Sequence, residues 1–169
     1  MEEPEKEMSE LVIPSDLYVK PSAPKVHDAN TSIDEAGFTH ALKIFAPGTA
    51  IRTALDDLLR ANMGALIVVD KEGLLKIVDG GFRVNCKFSA QRLVELAKMD
   101  GALILSEDLK KILYANTLLV PSAKIKTRET GTRHKAGERT SKQFKTIVIA
   151  ISERKRKITL YYGDERYVL

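Results

Sequence analysis

Beyond residue 35 the apolar residues of this chain follow two periods, near 3.6 and near 2, and the switches between them mark the elements. "FTHALKIFA" (38–46) reads as a short helix that stops at Pro47-Gly48, after which Thr49 can cap a second helix carrying Ile51, Ala54, Leu55, Leu58 and Leu59 on one face. "GALIVVD" (64–70) is almost unbroken in its apolar character, as a strand buried on both faces would be. Lys71-Glu72-Gly73 then turns it into a second strand over "LLKIVDGG" (74–81). Ser89 caps a helix over "AQRLVELAKM" (90–99), with Leu93, Leu96 and Ala97 facing inward. Past Asp100-Gly101 come strands "ALILS" (102–106) and "ILYANTLLV" (112–120), joined by a tight turn at "EDLKK" (107–111) and ended by Pro121. A loop leads to a helix from about Arg133 to Phe144, capped by Thr132. Strands "TIVIAIS" (146–152), "KITLYY" (157–162) and "RYVL" (166–169) follow, the last two joined at Gly163-Asp164. Hairpins mixed with helical crossovers predict an α/β fold whose mixed sheet is flanked by helices, not a pure doubly wound parallel sheet.

Composition narrows the class without naming a function. With 44% apolar residues in 169, the chain can bury one core of ordinary size. Residues 1–35 mix Glu, Lys, Pro and Ser without apolar periodicity and are expected to form a disordered tail, leaving 36–169 as the folded domain. The longest apolar runs, such as "TIVIAI", fall far short of the roughly 20 residues that span a bilayer, and "MEEPEKEMSE" is not a signal peptide, so a cytoplasmic protein with no membrane partner is expected. The lone cysteine, Cys86 in "FRVNCKF" (82–88), has no second cysteine to pair with and reads as an inert thiol. Charge changes the picture more. Residues 1–35 carry 9 acidic against 3 basic side chains, whereas 124–157 carry 12 basic against 3 acidic, so the second segment calls for a polyanion.

The candidate chemistry lies in and beside that basic segment. In "ETGTRHKAGER" (129–139), a helix starting at Arg133 would place Thr132, Arg133, His134 and Lys135 around unpaired backbone N–H groups and the positive end of the helix dipole. Cations are unfavourable there unless an anion such as a phosphate joins them. Glu138, one helical turn after His134, could orient the imidazole or help hold a metal, or could simply pair with Lys142. In "MDGALIL" (99–105), Asp100-Gly101 is either a plain turn or a carboxylate at a sheet edge, able to bind Mg²⁺ or Mn²⁺ or to accept a hydroxyl proton. "DGGF" (79–82) carries the same ambiguity. No Walker loop and no GxGxxG is present. "SERKRK" (152–157) reads as a charged hairpin tip with Ser152 pointing inward.

Taken together, "FAPGTAIRTALDDLLRANMGALIVV", "VDGGF", "LAKMDGALILSEDLKKILYANTLLVP", "ETGTRH" and "VIAISER" resemble the cyclase (DAC) domain of the DNA integrity scanning diadenylate cyclases, from about Phe45 to Leu169. The resemblance implies a mixed, largely seven-stranded sheet and the condensation of two ATP into cyclic di-AMP with release of two pyrophosphates. It also implies a divalent cofactor, Mg²⁺ or Mn²⁺, and a homo-oligomer whose active site lies between two facing subunits. Carried over by position, Asp100 would meet the metal and the reacting 3′-hydroxyl, with Glu138 as a second metal candidate. Gly101, Ala102 and Leu119 would line the adenine pocket, while Thr132, Arg133, His134, Lys135 and Ser152 would hold ribose and phosphates. Asp100, Arg133 and His134 would be the catalytic set.

Two positions depart from the family pattern: Lys135 stands where Arg is usual and Ala136 where Thr is usual, which removes a forked cation and a hydroxyl donor. A second reading is therefore a nucleotide-binding module with weakened turnover. A third, a nucleic-acid-binding basic protein, suffers from the absence of aromatic residues between Lys124 and Lys142, where bases would need to stack. The chain ends at Leu169, so the family's helical spine and helix-hairpin-helix DNA-binding domain are expected to be absent from it.

Overall fold

The computed structural model describes residues 31–169. In chain order the elements are helices α1 (Thr31–Ile44) and α2 (Ala50–Arg60), strand β1 (Ala65–Val69), a 3-10 turn (Leu74–Ile77), strands β2 (Val78–Asp79) and β3 (Phe82–Lys87), and helix α3 (Ala90–Ala97). They continue with strands β4 (Ala102–Leu105) and β5 (Lys111–Leu119), helix α4 (Thr132–Phe144), and strands β6 (Ile147–Ser152), β7 (Lys157–Tyr162) and β8 (Glu165–Val168). The disordered tail expected for residues 1–35 falls almost wholly outside the described residues.

The strands form one mixed sheet in the order β2-β5-β4-β1-β6-β7-β8, with β3 also paired to β5. Among the described residues only β1 and β4 pair in parallel; all other pairings are antiparallel. The expected mixed sheet is thus present, seven strands along the path and an eighth beside it. β2 and β3 share one edge of β5, opposite Leu118–Leu119 and Lys111–Ala115 respectively.

Strand parity explains why the central runs are apolar throughout. Ala65, Ile67, Leu103, Leu105, Ile149 and Ile151 point to one face and pack with α1, α2 and α3. The intervening Leu66, Val68, Ala102, Ile104, Val148 and Ala150 point to the other face, where Ala136 and Phe144 of α4 cover them. A sheet buried on both sides cannot show hydrophobic alternation, and all five residues of β1 are buried.

Capping positions two of the helices as expected. Thr49 Oγ1 accepts from Arg52 N at 3.2 Å, and Ser89 Oγ accepts from Arg92 N at 3.2 Å. Two expectations need correction. "LLKIVDGG" is not a full strand: Gly73 enters at φ +82, Leu74–Ile77 form a 3-10 turn with only Leu74 buried, and only Val78–Asp79 reach β5. Thr132 is not the cap of α4. Gly131 occupies the extended cap position and Thr132 is the first helical residue, with Lys135 N bonding back to Gly131 O at 2.8 Å.

β5 and β6 both run antiparallel to the β4/β1 pair between them, so they point the same way. The crossover helix α4 therefore starts at the carboxyl ends of β5 and β6 and returns to the opposite end, where Thr146 Oγ1 donates to Val69 O at 2.6 Å. This geometry sets which end of the sheet meets the positive end of α4.

If the Thr49 cap contributes as its geometry indicates, Thr49→Ala will lower unfolding free energy by about 1 kcal/mol. Chemical denaturation should show the loss as a lower midpoint with an unchanged slope.

Candidate active site

Four strand ends meet the start of α4. Ala102 opens β4 beside Leu66 of β1 in the parallel register, and Thr117 of β5 lies opposite Ala102, donating through Oγ1 to Ala102 O at 2.9 Å. Leu66, Ala102 and Leu119 share the α4 face because of their parity, so the cleft below the first turn of α4 has an apolar floor.

Asp100 and Gly101 form its rim. Gly101 adopts φ +94, and a Cβ there would come within 2.7 Å of Thr117 O, so only glycine makes this tight entry into β4. The tight entry leaves Asp100 exposed at the mouth, with no hydrogen-bond or ion-pair partner among the described residues. On the other side of the mouth stand Thr132, Arg133 and Ala136, completing a cavity of about 310 Å³. Arg133 rests its guanidinium over Gly64. Six positions expected to act together, Asp100, Gly101, Ala102, Leu119, Thr132 and Arg133, are brought to one cavity.

A second cleft, of about 230 Å³, opens on the far side of the same helical turn. His134 and Ser152 line it, together with Glu129, Thr130, Gly131, Thr159 and four basic residues, Arg154, Lys155, Lys157 and Arg166. Ser152 is half-buried and its Oγ accepts from Lys155 N at 3.2 Å, so it closes the β6–β7 hairpin while facing the cleft. Between the two clefts lies the start of α4, where no side chain among the described residues caps the first-turn N–H groups. Uncapped donors and a dipole end suit an anion that extends from one cleft to the other.

Burial pushes the His134 pKa below the ordinary histidine value of 6.5; Glu129 pulls it up, and Arg133, Lys155 and Arg166 press it down further. The neutral imidazole is thereby favoured in the free protein, and a bound anion would favour its protonation.

Lys135 and Glu138 line neither cleft. The metal role considered for Glu138 finds no support, because both of its oxygens are committed: Oε1 to Lys142 Nζ at 2.8 Å, Oε2 to Thr127 Oγ1 and to Arg128 N at 3.0 Å. Burial would raise its pKa, yet the bonds from Lys142, Thr127 and Arg128 together hold it below the ordinary range. Glu138 thus ties the preceding loop to α4, and its pairing with Lys142 is the simpler of the two readings weighed from the sequence.

Sequence reasoning missed a second tie. Glu129 Oε1 accepts from Tyr161 Oη at 2.8 Å and pairs with Arg166 Nε at 3.0 Å. Tyr161 is fully buried, and burial first, then the bond to Glu129, pushes its pKa far upward, so it stays a donor. Only the adjacency of Glu129 to Thr130-Gly131-Thr132 could have drawn attention to it; nothing in "KITLYY" distinguishes Tyr161 from a core residue.

A family profile described as "DisA bacterial checkpoint controller nucleotide-binding" (DAC) matches residues 52–166, most of the folded part of the chain. The chain belongs to the DAC family. The DNA integrity scanning protein DisA of Clostridium kluyveri is 57% identical over 129 residues, 76% of this chain and 36% of that protein. DisA of Symbiobacterium thermophilum is 53% identical over 137 residues, 80% of this chain and 39% of that protein. The chain thus spans little more than a third of the curated relatives it matches. Among solved structures, a double mutant of DacA from Staphylococcus aureus has a TM-score of 0.58 at 25% identity, over 77% of this chain and 88% of that one. A hypothetical membrane spanning protein from Bacillus cereus shares the fold, with TM-score 0.64 at 22% identity over 82% and 72% of the two chains. No helix among the described residues of this DAC-family chain is long and apolar enough to cross a membrane.

In a proton NMR titration, the His134 ring should titrate below 6.5 in the free protein. Because Glu129 is the group that raises its pKa, Glu129→Gln should move the midpoint lower still.

Proposed function

We propose that this chain is a diadenylate cyclase module that condenses two ATP into cyclic di-AMP and two pyrophosphates. The observation that carries this reading is the juxtaposition of an unpartnered carboxylate, Asp100, with Arg133 across an apolar cleft that continues past an uncapped helix start into a strongly basic one. Adenine fits the apolar floor of Leu66, Ala102 and Leu119, ribose comes to the rim at Asp100, and the phosphates run past Thr132 and Arg133 to His134 and Ser152. The reaction joins a 3′-oxygen to an α-phosphorus and needs little covalent help from the protein. Orientation of the two groups and neutralisation of the developing charge supply the rate.

The donor set is compatible with a divalent cation. Among the described residues no three His, Cys, Asp or Glu side chains cluster as a metal cage. Mg²⁺ or Mn²⁺ at a nucleotide site commonly takes only one or two protein carboxylates, with substrate phosphates and water completing the shell. Asp100 is the residue that would hold it, and when bound it would supply charge neutralisation at the phosphates. Asp100 also lies where it can accept the 3′-hydroxyl proton. Arg133 and the N–H groups of Thr132 to His134 orient the α-phosphate.

One such site holds one nucleotide, while the product needs two reciprocal 3′–5′ bonds. Two subunits must therefore face each other across a two-fold axis, each presenting its nucleotide to the partner's. ATP as substrate fits a cytoplasmic setting. A second reading, a nucleotide-binding module with weakened turnover, is favoured by Ala136, which lines the first cleft without a hydroxyl to offer.

Incubation with ATP and Mn²⁺ should yield cyclic di-AMP by chromatography, and Asp100→Asn should lower the rate by at least about a hundredfold with thermal unfolding unchanged. Binding of ATP without any product would leave the weakened module as the correct reading. Rate per subunit should rise with protein concentration and level off once facing dimers dominate. A flat specific activity in a protein that stays monomeric would rule out the two-subunit reaction.

A further inference from the structure

The second cleft is more basic than holding one α-phosphate requires. Four cations line it against one carboxylate, Glu129, and that carboxylate is already engaged. Arg166 stands apart from the other three by how it is held. It projects from β8, an edge strand whose residues are all exposed, where a long side chain ordinarily samples many rotamers. Here its Nε forms an ion pair with Glu129 at 3.0 Å, and Glu129 accepts in turn from the buried Tyr161 hydroxyl at 2.8 Å. The remaining guanidinium nitrogens, Nη1 and Nη2, have no hydrogen-bond partner among the described residues. A buried phenol, a half-buried carboxylate and an exposed guanidinium thus form a brace that ends in unused donors.

We propose that Arg166 is a further substrate-binding residue that grips the terminal phosphates of the nucleoside triphosphate, with Glu129 and Tyr161 as its positioning residues. This rests on the cyclase reading for the placement of the nucleotide. The α-phosphate must lie near Asp100 and Arg133 in the first cleft, so the β- and γ-phosphates extend past the start of α4 into the second, where Arg166 waits. A guanidinium can pair with a carboxylate on its Nε side and still offer N–H groups of Nη1 and Nη2 to a phosphate, a division of labour that an ammonium group lacks. As the 3′-oxygen bonds to the α-phosphorus, the bond from that phosphorus to the α,β-bridging oxygen breaks. Its electron pair stays on pyrophosphate, and the hydroxyl proton passes to Asp100 and on to water. Arg166 then neutralises charge on the departing group and raises the rate as well as the affinity.

The test is calorimetric titration of the intact chain with three probes: a non-hydrolysable ATP analogue, inorganic pyrophosphate, and cyclic di-AMP, which has no terminal phosphates. Arg166→Gln should weaken the analogue and pyrophosphate about tenfold or more while leaving cyclic di-AMP within about twofold. Arg166→Lys should recover part of the loss, and Glu129→Gln should reproduce a smaller version of it. Equal weakening of all three probes would make the brace merely structural and overturn the proposal, as would unchanged pyrophosphate binding in Arg166→Gln. Should that variant prove unfolded by its thermal transition, Arg166→Lys decides alone: pyrophosphate affinity equal to wild type would overturn the proposal. Wild-type binding of pyrophosphate without the analogue or cyclic di-AMP would sink the cyclase reading and leave a polyphosphate site at Arg166. Binding of none would sink both.

Discussion

The close seat of α4 on the sheet is the constraint from which the site follows. Gly137 lies where a Cβ would come within 3.2 Å of Leu66 Cδ1 and 3.3 Å of Val148 Cγ1, so the helix rests on β1 and β6 with nothing between. Ala136 and Phe144 complete the contact. Because α4 is the crossover between two strands that point the same way, close packing presses its positive end against the carboxyl ends of β5 and β6. Leu66 itself both meets Gly137 and floors the first cleft, so packing and binding share one side chain.

A helix end pressed against a sheet is only useful if the loop before it keeps still, and two carboxylates see to that. Glu138 gathers Thr127, Arg128 and Lys142, while Glu129 is gathered by Tyr161 and Arg166. Both hold buried or half-buried charge, which is tolerable because every bond they accept offsets desolvation. The consequence is electrostatic as well as mechanical. With these two acids engaged internally, the second cleft keeps Arg154, Lys155 and Lys157 facing it, and burial holds the His134 pKa below its ordinary value. Asp100 remains as the exposed acidic group at the mouth.

The two departures from the family pattern fall unequally on this geometry. Lys135 lines neither cleft, so loss of a forked cation there removes less from the site than the motif alone suggests. Ala136 does line the first cleft, and also covers the sheet, which ties any gain from a larger polar residue to a cost in packing.

Local relations along the chain were enough to indicate most of the elements and to single out candidate residues. Thr49 and Ser89 act as caps because a hydroxyl three residues before a free N–H is a relation that the chain carries without help. The apolar run of β1 announced a strand covered on both faces, and Asp100, Gly101, Arg133, His134 and Ser152 stood out by residue type and spacing. Local pattern failed where a partner distant in sequence decides. "LLKIVDGG" is apolar enough for a strand, yet β5 has room for only two of its residues beside β3. Glu138 could as well have faced a metal as a lysine until the loop folded over it. The division of the basic segment between two clefts, and the brace of Tyr161, Glu129 and Arg166, belong to the folded molecule alone. They join α4, the loop before it, β7 and β8, and no spacing rule connects residue 129 to residues 161 and 166 until the sheet brings their strands under the same helix.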